Sequence, residues 1–327
     1  MEHLPPLGTA VSEVVAPTMK LYAPLLQKNK QTIESVKKTT HSYGPHERQQ
    51  LDVYTTPKPS VRNGRIPVLI FCYGGGLIRG DKTLPGYADN LCHANIASFF
   101  ALRKGYSVVV PDYRLVGKHD VKFPSGGEDV SLTVEWVAQH ADLFGNDPLD
   151  IFVMGNSAGG LHTSTFLLHQ SFAPTRAKLF SGNGTRLRGA ILLSVPFHMK
   201  FSHANRAETN KAYFANLDEE VPLGLLKTAK KAGPIDIMQA GMHTFILNGD
   251  LDPVDELFQT RDDFIAEWLA IGTKQSRSTL AVDIMPGHNH ISPFCSLGTG
   301  IDEEEAWGHQ VSAFCDNVRL FKPSNAE

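Results

Sequence analysis

The feature that most constrains the fold is a series of short apolar runs that alternate with amphipathic segments. Most of these runs are apolar on both faces, as in a parallel sheet that helices cover on both sides. With two weaker runs near the start of the chain, the alternation predicts an α/β fold with a mostly parallel central sheet of about eight strands flanked by helices. The clear runs are 67–72, 106–110, 150–154, 189–193, 243–248 and 280–285, and the weaker ones are 33–42 and 50–54.

Two regions do not follow this alternation. Residues 1–48 precede the regular sheet, and residues 196–236 separate two predicted core strands. We predict a single domain over 1–327, in which 196–236 form a lid-like insertion, with a plain surface excursion as the alternative. The N-terminal extension 1–48 either joins this cap or stabilises the fold. Helical spacing of apolar residues predicts helices over 85–104, 128–143, 158–169, 255–271 and 302–321.

Composition and charge narrow the class of protein. The 327 residues carry 31 Lys and Arg against 34 Asp and Glu, so the chain lacks the basic footprint of most nucleic-acid-binding proteins. No stretch reaches the roughly 18 apolar residues of a membrane span. The N-terminus has no basic start followed by an apolar region, which a secretory signal would show. The four cysteines form no C-x-x-C pair, so we predict reduced thiols and a cytoplasmic location.

The segment 151–160 joins an apolar strand, a Gly-x-Ser-x-Gly motif and a predicted helix. Although the bare motif also occurs by chance in glycine-rich sequence, the strand–turn–helix context is that of a nucleophile elbow. Gly155 and Gly159 flank Ser157 and let neighbouring chains approach without a Cβ clash. The helix after the serine directs its N–H groups and its positive dipole end toward the same point. We therefore predict that Ser157 is a catalytic nucleophile.

A second glycine cluster follows the predicted strand 67–72. Three consecutive glycines, Gly74–Gly76, let the backbone pass close to a ligand and direct N–H groups at it. An acyl-transfer enzyme needs such donors where the tetrahedral oxyanion develops. The N–H of Ala158, directly after the serine, is a further candidate donor. A flexible glycine turn is the structural alternative, but two glycine motifs at the ends of two parallel strands favour an oxyanion hole.

These motifs together resemble the α/β-hydrolase superfamily, and most closely the branch with hormone-sensitive-lipase-like esterases, arylformamidases and related carboxylesterases. The resemblance implies that Gly75 and Gly76 supply the oxyanion N–H groups. One departure is Tyr73, which stands where the family usually has a histidine before the glycines. We interpret it as a change in the shape or polarity of the oxyanion loop, not as a loss of activity. The matching stretches are YGGG at 73–76, GDK at 80–82, VPDYRL at 110–115, FP at 123–124, GNDP at 145–148 and GNSAGG at 155–160.

A serine hydroxyl needs a base, and the base needs an orienting carboxylate. In this fold the chain order is serine, then acid, then histidine. The loop after the predicted strand 243–248 offers three acids, and the family pattern of glycine, two residues and aspartate selects Asp252. In this interpretation Asp255 caps the following helix and Asp250 is solvated.

The loop after the predicted strand 280–285 offers two histidines. His290 is our choice for the base because a histidine followed by a bulky apolar residue is the family's commoner form, and His288 is the alternative. An H-x-H pair can also hold a metal, but that hypothesis leaves the serine motif unexplained. Two further charged residues near a strand end, Asp112 and Arg114, are predicted to form a structural ion pair.

The resemblance predicts a serine hydrolase that cleaves a carboxylic ester of a small or medium-sized substrate through an acyl-enzyme, with no cofactor and no metal. Within the class, the alternatives are an amide or formamide substrate, as in an arylformamidase, or a lactone or thioester. From another class, a non-catalytic binding module on the same fold would keep the pocket and lose the base. The expected partner is a small molecule, with a homodimer through the last helix or strand as a further prediction.

Overall fold

The computed structural model describes residues 1–180 and 184–321. Their strands form one sheet in the order β1-β2-β4-β3-β5-β6-β7-β8. The β1–β2 and β2–β4 pairs are antiparallel, and every other neighbouring pair is parallel. This confirms the predicted eight-stranded, mostly parallel α/β sheet. The strands are β1 (Lys37–Ser42), β2 (Gln50–Thr55), β3 (Ile66–Cys72), β4 (Ser107–Pro111), β5 (Leu149–Asn156), β6 (Arg186–Leu193), β7 (His243–Gly249) and β8 (Leu280–Met285).

Helices flank the sheet, and short 3₁₀ and π turns join several of them. None of the helices in the described ranges combines the length and the hydropathy that crossing a membrane requires. The α-helices are α1 (Val11–Lys28), α2 (Lys30–Glu34), α3 (Ala94–Ser98), α4 (Ser125–Gln139), α5 (Ala158–Leu168), α6 (Ala173–Phe180), α7 (Ala207–Tyr213), α8 (Leu217–Glu220), α9 (Pro222–Ala232), α10 (Asp236–Gln239), α11 (Thr260–Leu269), α12 (Lys274–Ser278), α13 (Ser292–Ser296) and α14 (Asp302–Leu320).

Two element boundaries differ from the sequence prediction. Of residues 33–42, only Lys37–Ser42 form a strand, because Ile33 is buried in the short helix α2. Of residues 85–104, only the second half is regular: α3 is followed by the π turn Phe99–Lys104. Helical spacing of apolar residues gave the exact start of α5 and α14 but not that of α3.

Helix α1 was not predicted from the sequence. It spans 18 residues and contains two prolines, which argue against a helix interior. Its buried residues are nevertheless spaced every four positions and form a continuous stripe against the body of the protein. They are Val14, Thr18, Tyr22 and Leu26.

The core is divided between the two faces of the sheet. Val68 and Ile70 of β3 belong to one apolar cluster, and Leu69 and Phe71 belong to the other. Successive side chains of a strand point to opposite faces, so a strand between two helical layers is apolar at every position. This is the physical reason for the uninterrupted apolar runs in the sequence.

The register of the parallel strands brings five loops to one edge of the sheet. Cys72 at the end of β3 pairs with Gly155 near the end of β5, and Asn156 pairs with Leu193 at the end of β6. The ends of β7 and β8 are paired in the same way, Gly249 with Met285. In open α/β sheets this carboxyl edge is where ligands bind. The glycine cluster, the serine motif and the predicted acid and base loops all follow these strand ends.

Candidate active site

Ser157 occupies a sharp turn between β5 and α5. Its backbone has φ 51° and ψ −117°, a conformation that non-glycine residues adopt only at a cost of about 1–3 kcal/mol. The turn is held by a hydrogen bond of 2.9 Å from the Ser157 N–H to the Leu193 carbonyl. A Cβ on Gly159 would lie 2.0 Å from the Cys72 carbonyl oxygen, and one on Gly155 would lie 2.6 Å from that of Gly159. Both motif glycines are therefore required by close backbone packing.

The glycine loop lies directly against the serine. A Cβ added to Gly74 would lie 3.2 Å from the Ser157 Cβ. Gly75 and Gly76 have φ values of 144° and 60°, which L side chains rarely adopt. Ala158 is the first residue of α5, and the first N–H groups of a helix have no acceptor within it. The glycine loop and the start of α5 therefore both lie beside the serine.

His290 lies between the serine and the acid. Its Nε2 is 3.0 Å from Ser157 Oγ, and its Nδ1 is 3.4 Å from Asp252 Oδ1. The second distance exceeds the usual N–H···O range, but catalytic hydrogen bonds are often long without ligand and shorten in the reacting complex. His288 faces elsewhere, because its Nδ1 lies 2.9 Å from Ser292 Oγ, and burial lowers its pKa to about 4. The two imidazoles thus have different partners and do not converge as a metal-binding pair.

The carboxylate of Asp252 is held rigidly and is almost fully buried. Its Oδ2 accepts hydrogen bonds from Ser194 Oγ at 2.6 Å, Asn248 Nδ2 at 3.1 Å and the Gly249 N–H at 3.0 Å. These three donors leave Oδ1 to face the imidazole. Sequence analysis missed Ser194, which follows β6 with φ 47° and carries no motif. Its only sequence signal is its position, immediately after a core strand at the edge that carries the other candidates.

The predicted helix-capping role of Asp255 is wrong. The turn that precedes α11 covers Val254–Gln259, and the residue before it is Pro253. Asp255 therefore lies inside the first turn rather than at its cap. Asp250 is exposed, as the sequence interpretation expected.

The predicted ion pair between Asp112 and Arg114 is also wrong. Asp112 instead pairs with Arg48 at 3.2 Å and with Lys82 at 3.4 Å, and it accepts a hydrogen bond of 2.6 Å from the Tyr73 hydroxyl. Arg114 pairs with two acids at the start of α4. The two residues lie close in sequence but serve separate networks, both of them structural. The partners of Arg114 are Asp129 at 2.9 Å and Glu128 at 2.7 Å.

Both irregular regions of the chain reach the site. Thr18 of α1 accepts a hydrogen bond of 2.8 Å from Asn289 Nδ2, in the loop that carries His290. Arg206, in the segment 196–236, lies over the glycine loop, because a Cβ on Gly76 would be 1.9 Å from its Nη1. The N-terminal helix therefore borders the base loop, and the insertion borders the candidate oxyanion hole.

Comparison with known proteins identifies the family. The model of the BD-FAE family matches residues 51–262, which is more than half of the chain. The chain belongs to the BD-FAE family. The match covers the glycine loop, the serine motif and the acid loop of this BD-FAE protein, and it confirms the resemblance to hormone-sensitive-lipase-like α/β-hydrolases.

Individual relatives agree with this assignment. Esterase LipC of Mycobacterium tuberculosis is 26% identical over 254 residues, which are 76% of this chain and 58% of LipC. The chain thus spans less than two thirds of the length of that relative. The solved esterase of Pyrobaculum calidifontis superposes with a TM-score of 0.58 at 17% identity, covering 93% of this chain and 94% of that one. Esterase B of Lactobacillus rhamnosis, solved with a tributyrin phosphonate inhibitor, gives 0.60 at 17%, covering 93% and 94%. At this identity the two structures show that the fold is shared.

Proposed function

We propose that this BD-FAE protein is a serine hydrolase that cleaves carboxylic esters of small or medium-sized substrates through an acyl-enzyme. The observation that carries the proposal is the alignment of Ser157, His290 and Asp252 at the ends of β5, β8 and β7, with separations of 3.0 Å and 3.4 Å. Family membership and the similarity to LipC support an ester as the bond that is cleaved.

The proposed mechanism gives each group a role. His290 Nε2 accepts the proton of Ser157 as its oxygen attacks the ester carbonyl, and Asp252 holds the Nδ1–H tautomer and stabilises the imidazolium. The N–H groups of Gly75, Gly76 and Ala158 stabilise the oxyanion. His290 then gives the proton to the leaving alcohol, and the acyl group stays on the serine.

The second half of the cycle uses the same residues. His290 deprotonates a water, which attacks the acyl-enzyme and releases the acid as Ser157 regains its proton. Each step uses side chains, backbone N–H groups and water, so the proposed mechanism needs neither a cofactor nor a metal.

We also propose that the chain is one domain in which residues 196–236 form a lid-like insertion, with residues 1–48 at the opposite side of the same cap. The position of Arg206 over Gly76 and the hydrogen bond between Thr18 and Asn289 support this arrangement.

A cytoplasmic location and a homodimer complete the proposal. The cysteines are buried free thiols, which suits a reducing compartment. For the dimer, β8 is an edge strand of the sheet and offers unpaired backbone groups. Light scattering on the purified protein measures its mass directly. A mass of about 36 kDa, that of one chain, would contradict the dimer.

The test is hydrolysis of p-nitrophenyl esters from acetate to decanoate, together with labelling by an alkyl phosphonate. We expect turnover that Ser157→Ala abolishes and a phosphonate adduct on the peptide containing Ser157. His290→Ala should lower kcat by a factor of roughly 10³ or more, whereas His288→Ala should cost far less. An equal loss in both histidine variants would contradict the assignment of the base.

Two further outcomes would overturn parts of the proposal. Turnover of N-formyl aryl amides but of no ester would replace the ester by a formamide. A folded protein that neither turns over nor takes up the phosphonate would be a binding module. Circular dichroism of each variant checks that a loss of activity is not a loss of fold.

A further inference from the structure

The rim of the site carries two arginines that the proposed mechanism does not use. Arg206 is the last residue of the short turn Ala204–Arg206 in the insertion. Arg79 lies in the glycine loop, whose backbone turns back on itself through the hydrogen bond from the Arg79 N–H to the Gly75 carbonyl. Arg79 is exposed and Arg206 is partly buried. The chain as a whole has slightly more acids than bases, so this pair is a local excess of positive charge.

The guanidinium of Arg206 is placed beside the candidate oxyanion hole. A Cβ on Gly76 would be 1.9 Å from Nη1 and 2.9 Å from Cζ, so the guanidinium packs on the backbone of that glycine. Any substrate whose carbonyl oxygen reaches the N–H of Gly76 therefore extends within reach of this cation. Gly76 has no side chain to separate the two.

Among the described residues, no acceptor satisfies this cation. Within residues 1–180 and 184–321, no carboxylate lies within 4.0 Å of the side-chain nitrogens of Arg206 or Arg79, and neither side chain donates a hydrogen bond. The negative charge of Glu256 favours the protonated form of Arg206, whereas the positive charge of Arg79 disfavours it. Burial and the neighbouring Arg79 lower the pKa of Arg206, and Glu256 offsets only part of this effect.

A partly buried cation without a counter-ion is unfavourable, and proteins usually pair such groups. Arginine is suited to the task of binding a carboxylate, because its planar fork donates two parallel hydrogen bonds. We infer that Arg206, assisted by Arg79, binds an anionic group of the substrate, so that the natural ester carries a carboxylate a few atoms from the bond that is cleaved. This inference rests on the proposed ester hydrolysis and adds a substrate class to it.

The test compares anionic esters with neutral esters of the same shape. Monoethyl glutarate and ethyl pentanoate differ at the far end of the acyl chain, and 4-acetoxybutanoate and butyl acetate differ at the far end of the alcohol. We expect the wild type to have the higher kcat/KM for the anionic member of at least one pair. The pair that shows this preference also shows which side of the ester Arg206 contacts.

Substitution of the arginine tests the cause of the preference. In Arg206→Gln, the ratio of kcat/KM for the anionic over the neutral member should fall by about tenfold or more, since hydrogen bonds to charged groups are the stronger class. Arg206→Lys keeps the charge and should recover part of the ratio. Lys211→Gln is the matched control: it removes one exposed positive charge from α7 of the same insertion and should leave the ratio unchanged.

Two results would overturn the inference. One is a wild-type preference for the neutral member of both pairs. The other is an Arg206→Gln variant that loses the same factor on both members, because the guanidinium would then act on the oxyanion rather than on a substrate anion.

A binding measurement separates this inference from the proposed function. In Ser157→Ala, calorimetry measures the Kd of monoethyl glutarate and of 4-acetoxybutanoate without any turnover. Binding that weakens about tenfold when Arg206→Gln is added supports the anion site even if no ester is hydrolysed. Absence of binding of both anionic esters, in a protein that hydrolyses neutral esters through Ser157, would overturn the anion site and leave the esterase proposal intact.

Discussion

Replacement of Ser194 by alanine should lower the turnover number, although the side chain of this residue acts on Asp252 and not on Ser157 or the substrate. Its hydroxyl donates a hydrogen bond of 2.6 Å to Asp252 Oδ2, one of three donors that fix the carboxylate. A hydrogen bond to a charged group contributes about 1.5–3 kcal/mol. Since about 1.4 kcal/mol corresponds to a factor of ten in rate, we expect kcat to fall by about 10- to 100-fold. Two donors remain, so the loss should stay below the factor of about 10⁴ that follows loss of the acid's function in a serine triad.

The assay is hydrolysis of the best p-nitrophenyl ester, with kcat and KM determined separately. KM should change little, because Ser194 acts through the carboxylate and not on the substrate. Ser164→Ala is the matched control: Ser164 is buried within α5, and its hydroxyl has no hydrogen-bond partner in the described residues. A Ser194→Ala variant with kcat within about twofold of wild type, or a Ser164→Ala variant that loses as much, would refute the reasoning.

Three other predictions follow from the same structure. Gly75→Ala should lower kcat at least about 100-fold or prevent folding, because its Cβ would lie 2.0 Å from the Arg79 carbonyl oxygen, whereas Gly184→Ala, whose Cβ would meet no atom of the described residues within 4 Å, should behave as wild type in the ester assay. Burial lowers the pKa of seven histidines below the ordinary 6.5, and three of them have pKa values of about 4 or lower, so the unfolded chain binds protons that the folded chain does not. These three should lower the free energy of unfolding as the pH falls from 6.5 toward 4, by up to about 4 kcal/mol per pH unit, and His162→Leu should remove about a third of their contribution in urea titrations. These are His93 and His162, each with a pKa of about 3, and His288, with a pKa of about 4. Ellman's reagent should label the native protein slowly and four thiols in denaturant, because all the cysteines are buried and burial raises their pKa; rapid labelling of the native protein would contradict this arrangement.

The elements that the sequence predicted correctly share one physical origin. Strands such as β3 and β5 are buried on both faces, so their apolar runs are uninterrupted and visible without an alignment. The glycines around Ser157 are equally easy to recognise in the sequence, because at each of them a Cβ would clash with the backbone. The apolar runs and the glycines together locate the strand ends in the sequence. The loops that carry the serine, the acid and the base follow directly after these strand ends.

The residues that were missed depend on contacts between distant parts of the chain. Asn289 and Thr18 are 271 positions apart, and no local pattern connects them. Ser194 is a single polar residue after a strand, and its role depends on the hydrogen bond from its hydroxyl to the Asp252 carboxylate. Arg206 lies in a segment of mixed polarity, where one arginine resembles any exposed charge until the fold brings it to Gly76. Long-range polar contacts of this kind become visible only when the topology is known.

Tyr73 shows how one departure from the family pattern is accommodated by residues elsewhere. Its ring occupies space that a Cβ on Gly80 would enter at 2.5 Å, so the larger side chain requires a glycine seven residues later. Its hydroxyl accepts a hydrogen bond of 2.8 Å from Arg48 and donates one of 2.6 Å to Asp112. The ring itself stacks on Tyr113 with a centroid distance of 4.7 Å. These contacts fix Tyr73, the residue directly before the glycine loop, in position.

This network also gives the N-terminal extension a structural role. Arg48 is the last residue of that extension, and besides Tyr73 it binds the Gly80 carbonyl at 2.7 Å and the Asp81 carboxylate at 3.2 Å. Thr18 supports the opposite side of the site through Asn289 in the base loop. The first fifty residues thus contact both the glycine loop and the loop that carries His290. Under the proposed mechanism these contacts would matter for activity, since a misplacement of about 1 Å can cost a factor of 100 in rate.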